Sequence, residues 1–303
     1  MSDVTAKHPH LVELGQFLRA RRADVTPQAF GLPERDAAVR RVAGLRREEV
    51  ADSVAISHDY YTRIEQGRLA PSEPVLQAIA DALHLTPDQR EYAEGLARQA
   101  GRRTPPRRRT TPVRPQLQRL LDQLTQTPAF IVGRHLDVLA WNSLAGALLA
   151  DLDAMAPHER NFVRMVFTNP RVRDLYDDWE SVARTNVALL RRQAADNPTD
   201  PRLAALVGEL SLVSAQFRQW WAARHVTHPS FGTKTIRHPE LGEFTLDWDA
   251  FAYTGDPEQQ LVLWSAEPGS SSYDKLRILS SWVAPHTPRD TPTGALEHAD
   301  IQD

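Results

Sequence analysis

The chain has 303 residues, 36 Lys/Arg against 39 Asp/Glu for a net charge of -3, and 41% hydrophobic and 25% charged side chains. That is a globular composition with length for about two domains. A mean hydropathy of -0.46, with no apolar run near the roughly 18 residues a span needs, excludes a transmembrane helix. No basic-then-apolar leader is read at Met1–His8, so a cytoplasmic protein is expected. The absence of cysteine excludes disulfides, cysteine-ligated zinc, iron–sulfur clusters and thiol catalysis.

The charge is uneven. Residues 1–115 carry 19 Lys/Arg and 15 Asp/Glu, a net of +4, and residues 116–303 carry 17 and 24, a net of -7. A basic half joined to an acidic half fits a polyanion-binding module attached to something else; chance plus one arginine-rich connector fits equally. That connector, residues 101–115, holds six arginines and four prolines and cannot bury a core. Its arginines leave two readings open, phosphate contact or a solvated tether. The expected division is therefore a domain over 1–100, a linker over 101–115, a second domain over 116–284 and a disordered tail over 285–303. All seven tryptophans follow the linker, which implies a large core or a lined cavity in the second domain.

In the first domain the apolar spacing predicts a helix over 10–22, with Leu11, Leu14, Phe17 and Leu18 on one face. A second helix runs over 46–54, with Val50, Ala51 and Val54 inward. Ser57 is a good N-cap for a third over 58–66, which buries Tyr61 and Ile64 and stops at Gly67. A fourth helix starts at Ser72 or Pro74, and a fifth runs from Pro87 to about Arg98. Two short helices joined by a tight turn, the second with a polar outer face, make a helix-turn-helix in an all-α basic domain. Its outer positions, His58, Asp59, Thr62 and Arg63, are suited in width and chemistry to the DNA major groove.

The stretch Arg46-Arg47-Glu48-Glu49-Val50-Ala51 through Ile56-Ser57 to Ile64-Glu65-Gln66-Gly67 resembles the XRE/Cro-repressor family of helix-turn-helix domains. Ala55 stands where that family usually has glycine, a position that needs positive φ at a cost of about 1 kcal/mol for alanine. By that resemblance Ser57, His58, Asp59, Thr62 and Arg63 face the groove, and Arg46, Arg47, Tyr60, Gln66 and Arg68 hold phosphates.

In the second domain a helix is predicted from Pro115, then a hairpin over 129–133 and 137–141, and a short helix capped by Asn142-Ser143. Helices follow over 162–167, 171–190, 200–207 and 214–224. Strands are predicted over 232–238, 242–249 and 260–266, and a last helix over 273–283. This is an α+β domain, an antiparallel sheet with a helical insertion. The segments Asp137-Val138-Leu139-Ala140-Trp141-Asn142, Glu159-Arg160-Asn161, Tyr176-Asp177-Asp178-Trp179-Glu180, Leu246-Asp247-Trp248 and Ala266-Glu267-Pro268-Gly269-Ser270 resemble the PAS-like ligand-binding domain of MmyB-type transcription regulators.

The resemblance implies a regulator of transcription whose second domain holds a small, largely apolar molecule, a fatty acid being the natural suspect. Phe167, Tyr176, Trp179, Phe217, Trp220, Trp221 and Trp264 are the candidate lining residues, with Arg184 placed to meet a carboxylate. The same aromatic stripe also reads as plain core. Enzyme readings find no support: there is no glycine-rich phosphate loop, Ser270-Ser271-Ser272 lacks the nucleophile-elbow spacing, and His225 and His228 lack a third ligand. No catalytic residue, metal or cofactor is expected. The partners expected are double-stranded DNA, a second copy of the chain and a small apolar ligand, without membrane attachment. The alternative is a ligand-independent regulator whose second domain only dimerises.

Overall fold

The computed structural model describes residues 8–30, 44–101 and 112–283. The tail over 285–303 and the connector arginines between 102 and 111 lie outside the described residues.

The first domain is helical: α1 (Pro9–Asp24), α2 (Arg47–Ser53), α3 (His58–Glu65), α4 (Glu73–Ala82) and α5 (Pro87–Ala100). Local chemistry sets the starts. The Ser57 hydroxyl accepts the Tyr60 N–H at 3.2 Å, and Thr86 and Gln89 cap α5 reciprocally. Proline occupies the first turn of α1, α4 and α5, where its missing N–H costs nothing. The predicted apolar stripes meet in one core that joins Leu14, Phe17, Leu18, Val50, Tyr61, Ile64, Ile79 and Leu96.

Backbone geometry holds α1 against α3. Ala55 in the turn has φ 53°, the left-handed conformation that the resemblance implies at this position. Gly67 ends α3 at φ +65°, and a Cβ on it would lie 2.7 Å from Val12 Cα; one on Gly15 would lie 2.3 Å from the Glu65 carbonyl oxygen. The Glu65 carboxylate, with its side chain 1% exposed, bonds Arg22 Nε at 2.6 Å and Arg47 Nε at 2.7 Å. One group thereby ties α1, α2 and α3 together.

The second domain runs α6 (Pro115–Gln123), β1 (Ala129–Val132), β2 (Val138–Trp141), α7 (Ser143–Leu149), α8 (Phe162–Thr168), α9 (Pro170–Leu175), α10 (Trp179–Ala194), α11 (Pro201–Val213), α12 (Ala215–Ala223), β3 (Phe231–His238), β4 (Gly242–Ala252), β5 (Gln260–Ser265) and α13 (Ser271–Trp282). The sheet has the order β2-β1-β5-β4-β3, every pair antiparallel, as expected for the α+β reading. Asn142 earns its place after β2. Its side-chain oxygen caps α7 at the Ala145 N–H and also accepts the Ala129 N–H, while its amide donates to the Leu124 and Thr127 carbonyls.

One predicted helix is two. The helical spacing over 171–190 is interrupted at Tyr176, which is extended (φ -96°, ψ 127°) and bridges to Ile236 of β3. Asp177 N–H bonds the Thr235 carbonyl at 3.2 Å, and Asp178 then caps α10 through the Ser181 N–H. Pairing with the edge strand outweighs local helical preference. The helix predicted over 200–207 extends to Val213.

The two domains are docked. The Glu13 carboxylate of α1 accepts from Arg191 of α10 at 3.1 Å, from the Tyr92 hydroxyl at 2.9 Å and from Arg224. Arg192 forks onto Glu91 of α5 at 3.0 and 3.1 Å, and Asp88 accepts the His228 N–H at 2.7 Å. Ala195 and Val226 of the second domain complete the core of the first. Burial pushes the Glu13 carboxyl up, but Arg191 and Arg224 together outweigh it and hold the group below its ordinary value.

Two outcomes follow. Gly67→Ala meets both the positive φ and the Val12 backbone, so it lowers stability by more than about 1 kcal/mol in denaturant unfolding. Glu13→Gln leaves the Arg191 side chain, 3% exposed, without its counter-charge at a cost of about 3 kcal/mol, seen as a lower melting temperature. The sign with pH is that of a depressed carboxylate. Glu13's contribution is complete above its ordinary value of 4.5 and is lost as pH falls through the depressed one. Melting temperatures across that acid range converge for the native chain and Glu13→Gln.

Candidate functional site

The outer stripe of α3 is set by its inner one. Tyr61, Ile64 and Glu65 are buried, so the helical repeat turns His58, Asp59, Thr62 and Arg63 away from the core. None of the ten residues predicted to face DNA is buried. Arg46, Ser57, His58, Asp59, Arg63 and Arg68 are exposed, and Arg47, Tyr60, Thr62 and Gln66 are half-buried. The second domain docks on α1 and α5 and leaves this stripe open.

The stripe's charges are not equally available. His58 Nε2 lies 2.7 Å from Asp52 Oδ1, and Arg47 is held by Glu65, although its side chain stays 40% exposed. Arg46, Arg63 and Arg68 have no ion-pair partner among the described residues. A guanidinium at the end of a braced helix, with its donors uncommitted, is equipped for bidentate contact with guanine or phosphate. The acidic Asp52 and Asp59 beside it disfavour nonspecific approach of phosphates and make docking depend on register.

The second domain holds a cavity of about 300 Å³ between the sheet and α10. Phe130, Val132, Val262, Trp248 and Trp264 form its sheet wall, and Val182, Asn186 and Leu189 face them from α10. Cross-strand register explains the alignment: Gly232 pairs with Trp248, which pairs with Trp264, and Phe130 pairs with Val262. Gly232 makes room for the indole, since a Cβ there would lie 2.9 Å from Trp248 Nε1.

Of the eight predicted ligand residues, Trp264 lines this cavity. Phe167, Trp179, Phe217, Trp220 and Trp221 form a separate ring cluster, with centroids 5.2–6.0 Å apart, and Trp179 Nε1 donates to the Val166 carbonyl at 2.8 Å. They are core between α8, α10 and α12. Arg184 lies on the outer side of α10, its side chain 58% exposed, paired with Glu180 and resting 5.0 Å from the Trp220 ring. It is placed to cover the cluster, and it does not line the cavity. Tyr176 is buried beneath Lys234, and burial raises its hydroxyl well above the ordinary tyrosine value.

Sequence reasoning missed Lys234. Its amine stands 3.9 Å from the Trp264 ring centroid and 5.6 Å from that of Trp248, and burial pushes it well below the ordinary lysine range. The signal was present in the strand period: Gly232, Lys234 and Ile236 alternate onto one face, and Ile236 is core.

Comparison with known families agrees with both halves. The family model described as the MmyB-like transcription regulator ligand binding domain matches residues 113–279, and a helix-turn-helix domain model matches residues 13–93. No curated protein matches the chain. No helix among the described residues is long and apolar enough to cross a membrane. With the first match covering more than half of its length and the second its DNA-reading helices, the chain belongs to the MmyB-like transcription regulators, DNA-binding proteins that carry a ligand-binding domain.

Proposed function

We propose that the protein binds a near-palindromic operator as a homodimer and that an apolar, fatty-acid-like molecule in the cavity between the sheet and α10 sets its affinity for DNA. It acts through binding, with no catalytic step. The observation that carries this reading is the open, arginine-bearing stripe of α3 on a helix braced from behind. One such helix reads only a few base pairs, so specificity calls for two copies. Ser57, His58, Asp59, Thr62 and Arg63 are assigned to base edges, and Arg46, Arg47, Tyr60, Gln66 and Arg68 to the backbone.

Coupling has a physical carrier in α10. Val182, Asn186 and Leu189 line the cavity, and the next residues, Arg191 and Arg192, hold Glu13 of α1 and Glu91 of α5. A ligand that moves α10 by a fraction of a turn shifts the support under the reading domain. For control, it must bind the two arrangements with different affinity.

Arg63→Ala weakens binding to the selected operator by about 1–3 kcal/mol and relaxes preference at one base position. Arg68→Ala weakens all sequences alike and reduces the salt dependence. Operator selection from a random library, followed by anisotropy titrations at two salt concentrations, measures both effects. Unchanged operator affinity in Arg63→Ala overturns the base-reading assignment. Unchanged operator affinity across a series of added fatty acids overturns the ligand control and leaves a regulator whose second domain serves dimerisation.

A further inference from the structure

His225 and His228, the pair that finds no third ligand in the sequence, both stand at the domain junction. His225 follows α12, and its Nδ1 lies 3.0 Å from Nη1 of Arg21 on α1. A guanidinium only donates, so Nδ1 is the acceptor and the neutral ring carries its proton on Nε2. Arg21 also donates through Nη2 to the carbonyl of Ala223, the last residue of α12. The Arg21 side chain is 6% exposed. One buried guanidinium of the first domain thus holds the end of α12 in two ways: by a carbonyl, which cannot titrate, and by an imidazole, which can.

Protonation reverses the second contact. Nδ1 becomes a donor, and two cations then meet where a donor met an acceptor. The surrounding charges do not cancel this. Arg21 and Asp24 face His225 from α1, and Arg184, held by Glu180, faces it from α10. Asp24 is already paired with Arg21 at 3.0 Å, and its side chain is 53% exposed, so it offers a second cation little. Burial and then Arg21 accordingly lower the His225 imidazole from its ordinary value of 6.5, against the opposing pull of Asp24. The other junction histidines share this sign. Burial and then Arg192 lower His228, which also faces Glu91 and Asp88 of α5. Burial lowers His10 of α1, which lies beside His8, Gln99 and Asp196.

We infer that His225 is an acid-sensitive latch between the two domains, closed on the Arg21 guanidinium while the imidazole is neutral and opened when Nδ1 takes up a proton. The latch stands on the docked arrangement alone and depends neither on the operator nor on what fills the cavity. The docked state binds this proton less readily than the undocked one. Docking is therefore complete above 6.5 and is lost as pH falls from there through the depressed value, by up to about tenfold per pH unit for one proton. Glu13 acts outside this window, because its carboxyl is held below 4.5.

The test reads the distance between the domains of the full-length protein. The chain has no cysteine, so Glu73→Cys on α4 and Gln216→Cys on α12, both at exposed positions, take a donor and an acceptor dye. Energy transfer keeps its docked value near about pH 7.5 and moves to that of separated domains towards about pH 5.5, one unit either side of the ordinary histidine value. His225→Asn places an amide oxygen where Nδ1 stood and does not titrate, so it keeps the docked value to lower pH than the native protein. Histidine NMR gives a reading that needs no docked variant: the His225 ring of the native protein titrates below 6.5 and returns towards that value in Arg21→Gln. Three results overturn the latch: energy transfer unchanged over this range in the native protein, a change that His225→Asn follows at the same pH, or a His225 titration that Arg21→Gln leaves where it was.

Discussion

The carboxylate of Glu65 is the constraint on which the reading surface depends. It sits at the last residue of α3, buried, and takes one hydrogen bond from α1 through Arg22 and another from α2 through Arg47. Buried ion pairs seldom add net stability, because desolvation offsets the attraction. Their effect is geometric, since a charge left without its partner is penalised heavily, and alternative placements of α3 that separate these groups are excluded. Gly15 and Gly67 serve the same end by letting the α1 backbone approach where a Cβ would collide. The outer face of α3 therefore presents its side chains from a fixed platform, which base-edge recognition requires because a hydrogen bond weakens steeply with misalignment.

A second charge cluster joins that platform to the rest of the molecule. Glu13 lies on α1, the helix that also carries Arg22, and its partners Arg191 and Arg224 belong to the second domain. Arg191 is further sandwiched at 3.5 Å from the Trp221 ring centroid. The aromatic cluster that sequence reading assigned to a ligand has its use here: it stiffens the junction of α10 and α12, from which the docking arginines project. Cavity, α10, Glu13, α1 and Glu65 form one contiguous chain of packed and hydrogen-bonded groups, the kind of connection through which two sites bias a shared arrangement.

Much of this was legible in the residues because local chemistry decides it. Ser57 and Asn142 announce helix starts by type and position, and each caps as read. Ala55 was expected to be left-handed only through the resemblance, because it stands where that family usually has glycine. The exposed stripe of α3 follows from the period of its buried residues. Tertiary pairing was not legible. The break at Tyr176 comes from a bridge to Ile236, sixty residues later in the chain, and nothing in the helical spacing of 171–190 betrays it. The cavity was misplaced for a related reason. Tryptophans at helical spacing mark an apolar face, but which face meets a gap depends on how sheet and helix come together. Lys234 alternates with Ile236, and an inward lysine in a chain with only three lysines was the available clue.

The two clusters differ in a way that fixes how control can operate. The Glu65 side chain is 1% exposed, and both of its arginines come from within the first domain. The Glu13 side chain is 12% exposed, and both of its arginines come from across the junction. Water reaches Glu13 more readily, and separating the domains rehydrates its carboxylate and guanidinium groups together, which leaves no orphaned charge. Displacing α3 offers no such compensation, because the core around Tyr61 and Ile64 opens at the same time. The lower-cost motion is therefore movement of the whole first domain against α10, with α3 carried as a rigid part. In the proposed dimer, such motion changes where the two copies of α3 stand relative to each other and leaves each helix intact.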